Sequence, residues 1–553
     1  MRHLTAAFIA LLLLAGLSAC YRRDQGGSSS PHSHSHGSIS TLGRSDGERG
    51  SSGGSLGVGG ELPRPTLARD LGTGGGGERL GSRQWSRDPA APPPGFASTQ
   101  APGGDASTFG LDVDTAGFTR LRAMLELGQL SGAEGVRIEE LINRPSYAYA
   151  APAAGAEHPL AMATAVMACP WQPEHLLLRV AVRAQTLDRE TRPPLNLVFL
   201  VDVSGSMGVA DRLPLAQRTL TSIARGLRAD DRIAIVAYAG SDRVVLEAVA
   251  GDAQRQIRTA IADLTAGGST AGEAGITRAY REAARHHRRG VQSRIVLCTD
   301  GDFNVGIRDP RALERFIAEQ AASGIYLTVL GYGGAMGNDA TAKALAGRGN
   351  GVYRAITDQA ESDRFADTTL DGELVTVAKD AKGQLFFNPA AISAWRQIGY
   401  EYRQLERQDF NDDRRDAGDI GAGHRVTMLY ELVPARLAAD PNPFIAADRP
   451  AQVAADALLR VRLRYQPAEG GASRLIERDV PNRAGDGDGD LRLAAALAGM
   501  GMLLREPRAE QRGRLDWALV QRLAGATGTT VPRQEQREIQ AMIERAATLA
   551  DRR

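Results

Sequence analysis

The uncharged run Asn196-Leu197-Val198-Phe199-Leu200-Val201 leads straight into Asp202-Val203-Ser204-Gly205-Ser206. A strand that is apolar on both faces belongs inside a parallel sheet covered by helices on each side. The chain must therefore build an α/β layer around these residues. The strand then ends by presenting one carboxylate and two hydroxyls on a single turn. Short oxygen side chains on one loop suit a hard cation such as magnesium, which takes a near-octahedral oxygen shell and leaves positions to water or a ligand.

Two further oxygens fall where open α/β sheets collect their ligands, at the carboxyl ends of strands or in the loops just beyond. Thr270 lies in the turn Gly267-Gly268-Ser269-Thr270 ahead of a helical stretch, and Asp300 follows the strand-like Arg294-Ile295-Val296-Leu297-Cys298-Thr299. Ser204 and Ser206 also suit helix capping, but capping accounts for neither Thr270 nor Asp300. The pattern Asp-x-Ser-x-Ser, then Thr, then Thr-Asp-Gly resembles the metal-ion-dependent adhesion site of the von Willebrand factor type A domain. That resemblance implies a doubly wound, mostly parallel α/β sheet. It assigns Asp202, Ser204, Ser206, Thr270 and Asp300 to one divalent cation, Mg2+ or else Mn2+ or Ca2+, some directly and some through water.

The order of elements between 193 and 371 is that of a doubly wound sheet. Strands are expected at 196–201, 232–238, 243–249, 294–299, 325–330 and 351–356, with helices at 213–227, 253–264, 272–286, 310–323, 340–347 and 359–370. Ahead of this unit, the flank 106–192 holds a short strand near Ser107, helices at 116–127 and 135–142, and an alternating strand at 175–187. Behind it, 372–482 reads as a β-rich extension with strands at 382–387, 424–433, 457–465 and 474–479, and 483–553 as a helical segment. The extension is placed to share a sheet with 175–187, which would leave the α/β unit inserted between two halves of one module. Asp112 and Asp114 read as capping or surface polarity. Asp486-Gly487-Asp488-Gly489-Asp490 reads as a solvated turn, because Leu497 stands where a calcium loop needs its closing glutamate.

The amino end carries a targeting pattern. Residues 1–20 combine Arg2 and His3 with an apolar run too short to span a bilayer, and they end Leu17-Ser18-Ala19-Cys20. That ending resembles the bacterial lipobox, so Cys20 is the expected acylation site. Tyr21 in place of aspartate favours the outer membrane, giving a lipid-anchored protein of the bacterial cell envelope. Residues 21–105 are rich in Gly, Ser and Pro and read as a flexible linker, its alternating His32, His34 and His36 included. Cys169 and Cys298 remain; Cys298, inside an apolar strand, is expected to act as a small buried hydrophobe.

Beyond the metal loops, Asp112-Val113-Asp114-Thr115-Ala116, Cys169-Pro170-Trp171-Gln172-Pro173-Glu174-His175, Asp300-Gly301-Asp302-Phe303-Asn304-Val305-Gly306 and Phe410-Asn411-Asp412-Asp413 look like segments of the YfbK-like bacterial lipoproteins. The likeness implies a type A domain with its own amino-terminal segment and carboxy-terminal extension.

A formal net charge of +1, from 66 basic and 65 acidic residues, leaves no electrostatic footprint for nucleic acid. The reading that follows is a protein-binding module whose cation coordinates a carboxylate of a partner protein. A metal-dependent hydrolase would need a base beside the cation, and only Asp302 and Asp211 offer one. A structural scaffold with partner contacts through the flanking domain is the remaining reading. In related domains, ligand binding at the metal loops can move the last helix, here 359–370, so the same coupling is expected.

Overall fold

The computed structural model describes residues 95–552, apart from 102, 112–113, 131–132, 154, 270–271, 302–309, 334–338, 414–416, 438–452 and 506–512. Short strands β1 (Ala97–Ser98) and β2 (Ala106–Gly110) lead to helices α1 (Ala116–Glu126) and α2 (Ile138–Ile142) and the hairpin β3 (Leu160–Cys169) and β4 (Gln172–Ala184). An alternating unit follows: β5 (Leu195–Asp202), α3 (Leu213–Arg225), β6 (Arg232–Tyr238), β7 (Asp242–Ala250), α4 (Gln254–Ala262) and α5 (Gly272–His286). It continues with β8 (Gln292–Thr299), α6 (Pro310–Ala322), β9 (Ile325–Tyr332), α7 (Asp339–Arg348), β10 (Tyr353–Ile356) and α8 (Gln359–Thr368). The remainder is β11 (Thr376–Phe387), β12 (Ile392–Ile398), β13 (Ile420–Gly421), β14 (Arg425–Pro434), β15 (Ala457–Pro467) and β16 (Arg474–Pro481), then α9 (Gly489–Arg505), α10 (Trp517–Ala524) and α11 (Arg533–Ala550).

The alternating unit forms one sheet in the order β10-β9-β8-β5-β6-β7, parallel except for the antiparallel edge strand β7. Every residue of β5 is buried, as its unbroken apolar run requires. Successive side chains of a strand point to opposite faces. Leu197, Phe199 and Val201 accordingly pack with α3, α4 and α8, while Val198 and Leu200 pack with α5, α6 and α7. This is a doubly wound α/β fold, and its central strand delivers Asp202 to the carboxyl edge.

Two antiparallel sheets flank the unit. One runs β1-β12-β14-β4-β3, and the other β13-β11-β15-β16 with β2 also on β11. Strands ahead of the α/β unit pair with strands behind it: β4 pairs with β14 from Arg183↔Arg425 to Leu176↔Leu432, and β2 pairs with β11. Helix α9 is apolar almost all round and buried, packed in one core with Ile138 and Leu141 of α2 and Val520 of α10. Among the described residues no helix is long and apolar enough to cross a membrane. Cys169 and Cys298 are both buried and unbridged.

Two acidic clusters differ from the sequence reading. Asp488 holds the buried Arg179 through hydrogen bonds of 2.6 and 2.8 Å and accepts the Leu491 N–H at 2.7 Å, so it closes the start of α9. Asp490 is buried and accepts from the Thr529 hydroxyl and from both the N–H and hydroxyl of Thr530. The segment is a joint between strand, helix and loop: Asp486 and Asp488 are exposed as a solvated turn would have them, but Asp488 is held by Arg179 and Asp490 is buried. Asp114, likewise, is buried and accepts the Tyr353 N–H at 3.0 Å, tying the amino flank to β10. Asp112 lies outside the described residues.

One buried histidine sets a pH response. His424 is 8% exposed, and its Nδ1 accepts the Gly421 N–H at 3.1 Å. Burial pushes its pKa down from 6.5 to about 4, Arg354, Arg294 and Arg425 pushing the same way and Glu373 against. The unfolded chain gains a proton near pH 6.5 that the fold refuses until about pH 4, so this group's contribution is lost as pH falls through that window. Glu139, raised by burial from 4.5 to about 7, acts in the opposite sense over nearly the same interval. Comparing wild type with His424→Gln cancels the Glu139 effect. Urea unfolding at pH 7 and pH 4.5 should show the variant losing about 2–3 kcal/mol less on acidification than wild type; equal losses would refute the assignment.

Candidate metal centre

The carboxyl edge of β5 is built by three loops laced together through backbone hydrogen bonds. Val203 N–H donates to the Tyr238 carbonyl at 3.0 Å, Gly205 N–H to the Gly268 carbonyl at 3.0 Å, and Gly267 N–H to the Val203 carbonyl at 2.7 Å. Gly268 adopts φ +84°, a left-handed conformation that favours glycine and lets this loop close on the turn after β5.

Asp202 is wholly buried. Its Oδ1 accepts the Ser204 N–H at 2.8 Å, and its Oδ2 accepts the Tyr238 hydroxyl at 3.3 Å. The Ser204 and Ser206 hydroxyl oxygens lie 3.0 Å apart. Asp300, at the end of β8, is also buried. Arg212 donates from one Nη1 to Asp300 Oδ2 at 2.7 Å and to the Ser206 carbonyl at 2.8 Å, so its guanidinium bridges the β5 turn and the β8 terminus. Thr270 falls outside the described residues, as do Asp302 and Cys20.

The electrostatics of Asp202 and Asp300 differ. Burial raises the Asp202 pKa above the usual carboxylate range, with the charge of Asp300 adding to it and hydrogen bonds from Ser204 and Tyr238 opposing it. No cationic side chain pairs with Asp202 among the described residues, whereas Asp300 has Arg212. A desolvated carboxylate beside two hydroxyls is stabilised by an added cation. Burial also holds the Tyr238 phenol well above its ordinary range, so it stays a hydrogen-bond donor to Asp202. The residues present therefore fit a divalent cation held by Asp202, Ser204, Ser206 and Asp300, with Thr270 added by its position in the motif. Among the described residues no three His, Cys, Asp or Glu side chains gather as a metal-binding group. A cation at this edge would depend on hydroxyls and water for much of its shell.

Sequence reasoning missed Arg212 and Tyr238. Tyr238 ends β6 and meets Asp202 only because β5 and β6 pair Asp202↔Tyr238. Gly275 on α5 supports it: a Cβ there would lie 2.8 Å from the Tyr238 Cβ, so the helix can sit against the tyrosine only with glycine at this point. Asp211, weighed as a catalytic base, is exposed and engages the Gly333 N–H through its backbone carbonyl.

Three family profiles match successive regions of this chain. The profile of a von Willebrand factor segment matches residues 96–179, that of the von Willebrand factor type A domain 196–368, and that of the C-terminal region of the uncharacterized protein YfbK 372–549. Uncharacterized protein YfbK of Escherichia coli (strain K12) is 37% identical over 464 residues, spanning 80% of this chain and 78% of that protein. Uncharacterized protein sll0103 of Synechocystis sp. is 35% identical over 191 residues, 34% of this chain and 43% of that protein. Among solved structures, a von Willebrand factor type A protein from Catenulispora acidiphila covers 72% of this chain and 97% of its own at 15% identity, with a TM-score of 0.41.

Proposed function

The chain belongs to the YfbK family, with a von Willebrand factor type A domain followed by the family's own C-terminal region, and on that premise we propose that it is a cation-dependent protein-binding module. A divalent cation, Mg2+ or else Mn2+ or Ca2+, held by Asp202, Ser204, Ser206, Thr270 and Asp300, takes a carboxylate of a partner protein into its open position. The observation that supports this is the buried carboxylate of Asp202, paired with no cationic side chain among the described residues and set beside two hydroxyls at the edge of the central sheet. Acylated Cys20 anchors the chain in the cell envelope, at the outer membrane, with the stretch between Cys20 and β1 as the tether; the linker expected to reach residue 105 ends earlier, because Ala97–Ser98 pair with β12 and Thr99 is buried. Helix α8 carries the consequence of binding into the flanking sheets, since the chain passes from it into β11 within a few residues.

Affinity capture from cell envelopes tests the binding reading. A partner should be retained by wild type in magnesium and lost both with chelator and with Asp202→Ala. Retention in all three arms would place the contact on the flanking module and overturn the cation-dependent reading. For the anchor, Cys20→Ser should move the protein out of the membrane fraction; a variant still membrane-bound would sink that part.

A further inference from the structure

We propose that the cavity beneath α8, between the type A domain and the flanking module, is a binding site for a small tetrahedral oxyanion such as phosphate or sulfate. It is separate from the cation edge and shares no residue with it. The cavity measures about 120 Å3, well above the roughly 10–15 Å3 needed for one water.

Its walls carry more positive charge and more donors than they satisfy. Three wall arginines have carboxylates: Arg144 meets Glu361 at 3.0 Å, Arg364 meets Glu361 at 3.3 Å, and Arg354 grips Glu373 at 3.0 and 3.2 Å. Two further wall residues touch no carboxylate among the described residues, although Glu535 acts on Arg425 and Glu373 on His424 at longer range. The Arg425 guanidinium makes no ion pair or hydrogen bond among the described residues, and its Nε is buried without a partner. His424 is 8% exposed; its Nδ1 already accepts the Gly421 N–H, so the neutral ring carries its proton on Nε2, which is buried without a partner.

The strand register adds a second, independent observation. β4 and β14 place Arg183 directly opposite Arg425, and like charges facing each other on a sheet are destabilising. Burial, with the Arg425 charge adding to it, brings the Arg183 pKa down to about 10. An oxyanion in the cavity answers both deficits, because a guanidinium binds phosphate or sulfate through charge-assisted hydrogen bonds in a planar fork. The imidazole N–H supplies a further donor. Walls from β10 and α8 on one side and from β14 and residues 143–146 on the other would then close on one ion.

Calorimetric titration of the full chain with inorganic phosphate and with sulfate, in chelator to exclude the cation site, tests this. The expected result is one saturable site and a thermal shift beyond that of chloride at equal ionic strength. Arg425→Gln should weaken binding about tenfold or more, and Asp202→Ala should leave it unchanged. Arg425→Lys, which keeps the charge and loses the fork, should bind several-fold more weakly than wild type, and it provides the comparison if the glutamine variant does not fold. No saturable binding, an equal shift with chloride, or wild-type affinity in the folded Arg425 variant would overturn the proposal.

Discussion

Asp231→Ala is expected to destabilise the fold by about 3–5 kcal/mol, the cost of breaking a buried ion pair from one side. Arg192 and Asp231 are both fully buried at the entrance to the α/β unit and are joined by two hydrogen bonds of 2.8 and 2.7 Å. The same carboxylate accepts the Leu195 N–H at 2.9 Å and the Arg228 N–H at 2.7 Å, so it fixes where β5 begins. Burial alone would raise its pKa, but the Arg192 hydrogen bond and the two backbone donors outweigh it and hold the group below its usual value. Its stabilisation is therefore present above the ordinary carboxylate range and is lost as pH falls through the depressed value. Removing the carboxylate takes from the buried Arg192 guanidinium the two hydrogen bonds and the charge of Asp231. Replacing both partners by leucine should recover much of the loss, because apolar pairs of similar volume often substitute well for buried ion pairs. Urea unfolding of the three variants decides the matter, and a cost under about 1 kcal/mol for Asp231→Ala would contradict it.

The second large effect is in cation affinity, and it has two opposite signs. Asp202→Ala should weaken magnesium or manganese binding by about 100-fold or more, since even outer-shell partners of metal ligands cost 10- to 100-fold. Arg212→Gln should strengthen it by about tenfold, because the guanidinium on Asp300 competes with the incoming charge for the same oxygen. Calorimetry with circular dichroism as a folding check separates the cases. Weaker binding in Arg212→Gln would show that the arginine supports the site instead of competing for it, and unchanged affinity in folded Asp202→Ala would place the cation elsewhere.

The doubly wound fold was legible because β5 is apolar on both faces and because long amphipathic helices such as α5 repeat every 3.6 residues. The flanks were less so. β3 was missed: Leu160–Cys169 is rich in Ala and Met, which carry little strand signal. β12 was missed because Arg396 and Gln397 interrupt its apolar pattern; the arginine is satisfied inside by Glu431 at 2.6 and 2.9 Å, a partner only the folded sheet supplies. At the candidate metal centre, the motif points to Asp202, Ser204, Ser206 and Asp300, which lie at or just beyond the ends of β5 and β8. Arg212 carries no such mark, since its role arises when the β5 turn and the β8 terminus meet in space.

The pairing of β4 with β14 has a consequence for how the chain is made. A ribosome delivers β4 first and β14 only after the entire α/β unit, an interval of roughly 10–50 s at ordinary elongation rates. Through that time β4 has only its β3 edge paired and β2 waits for β11, and an unpaired edge is a template for another chain. The type A domain, whose six strands are contiguous in sequence, has no such wait. Nascent chains stalled after α8 should therefore hold a finished type A domain on an unfinished, sticky base, the state in which a chaperone is most needed.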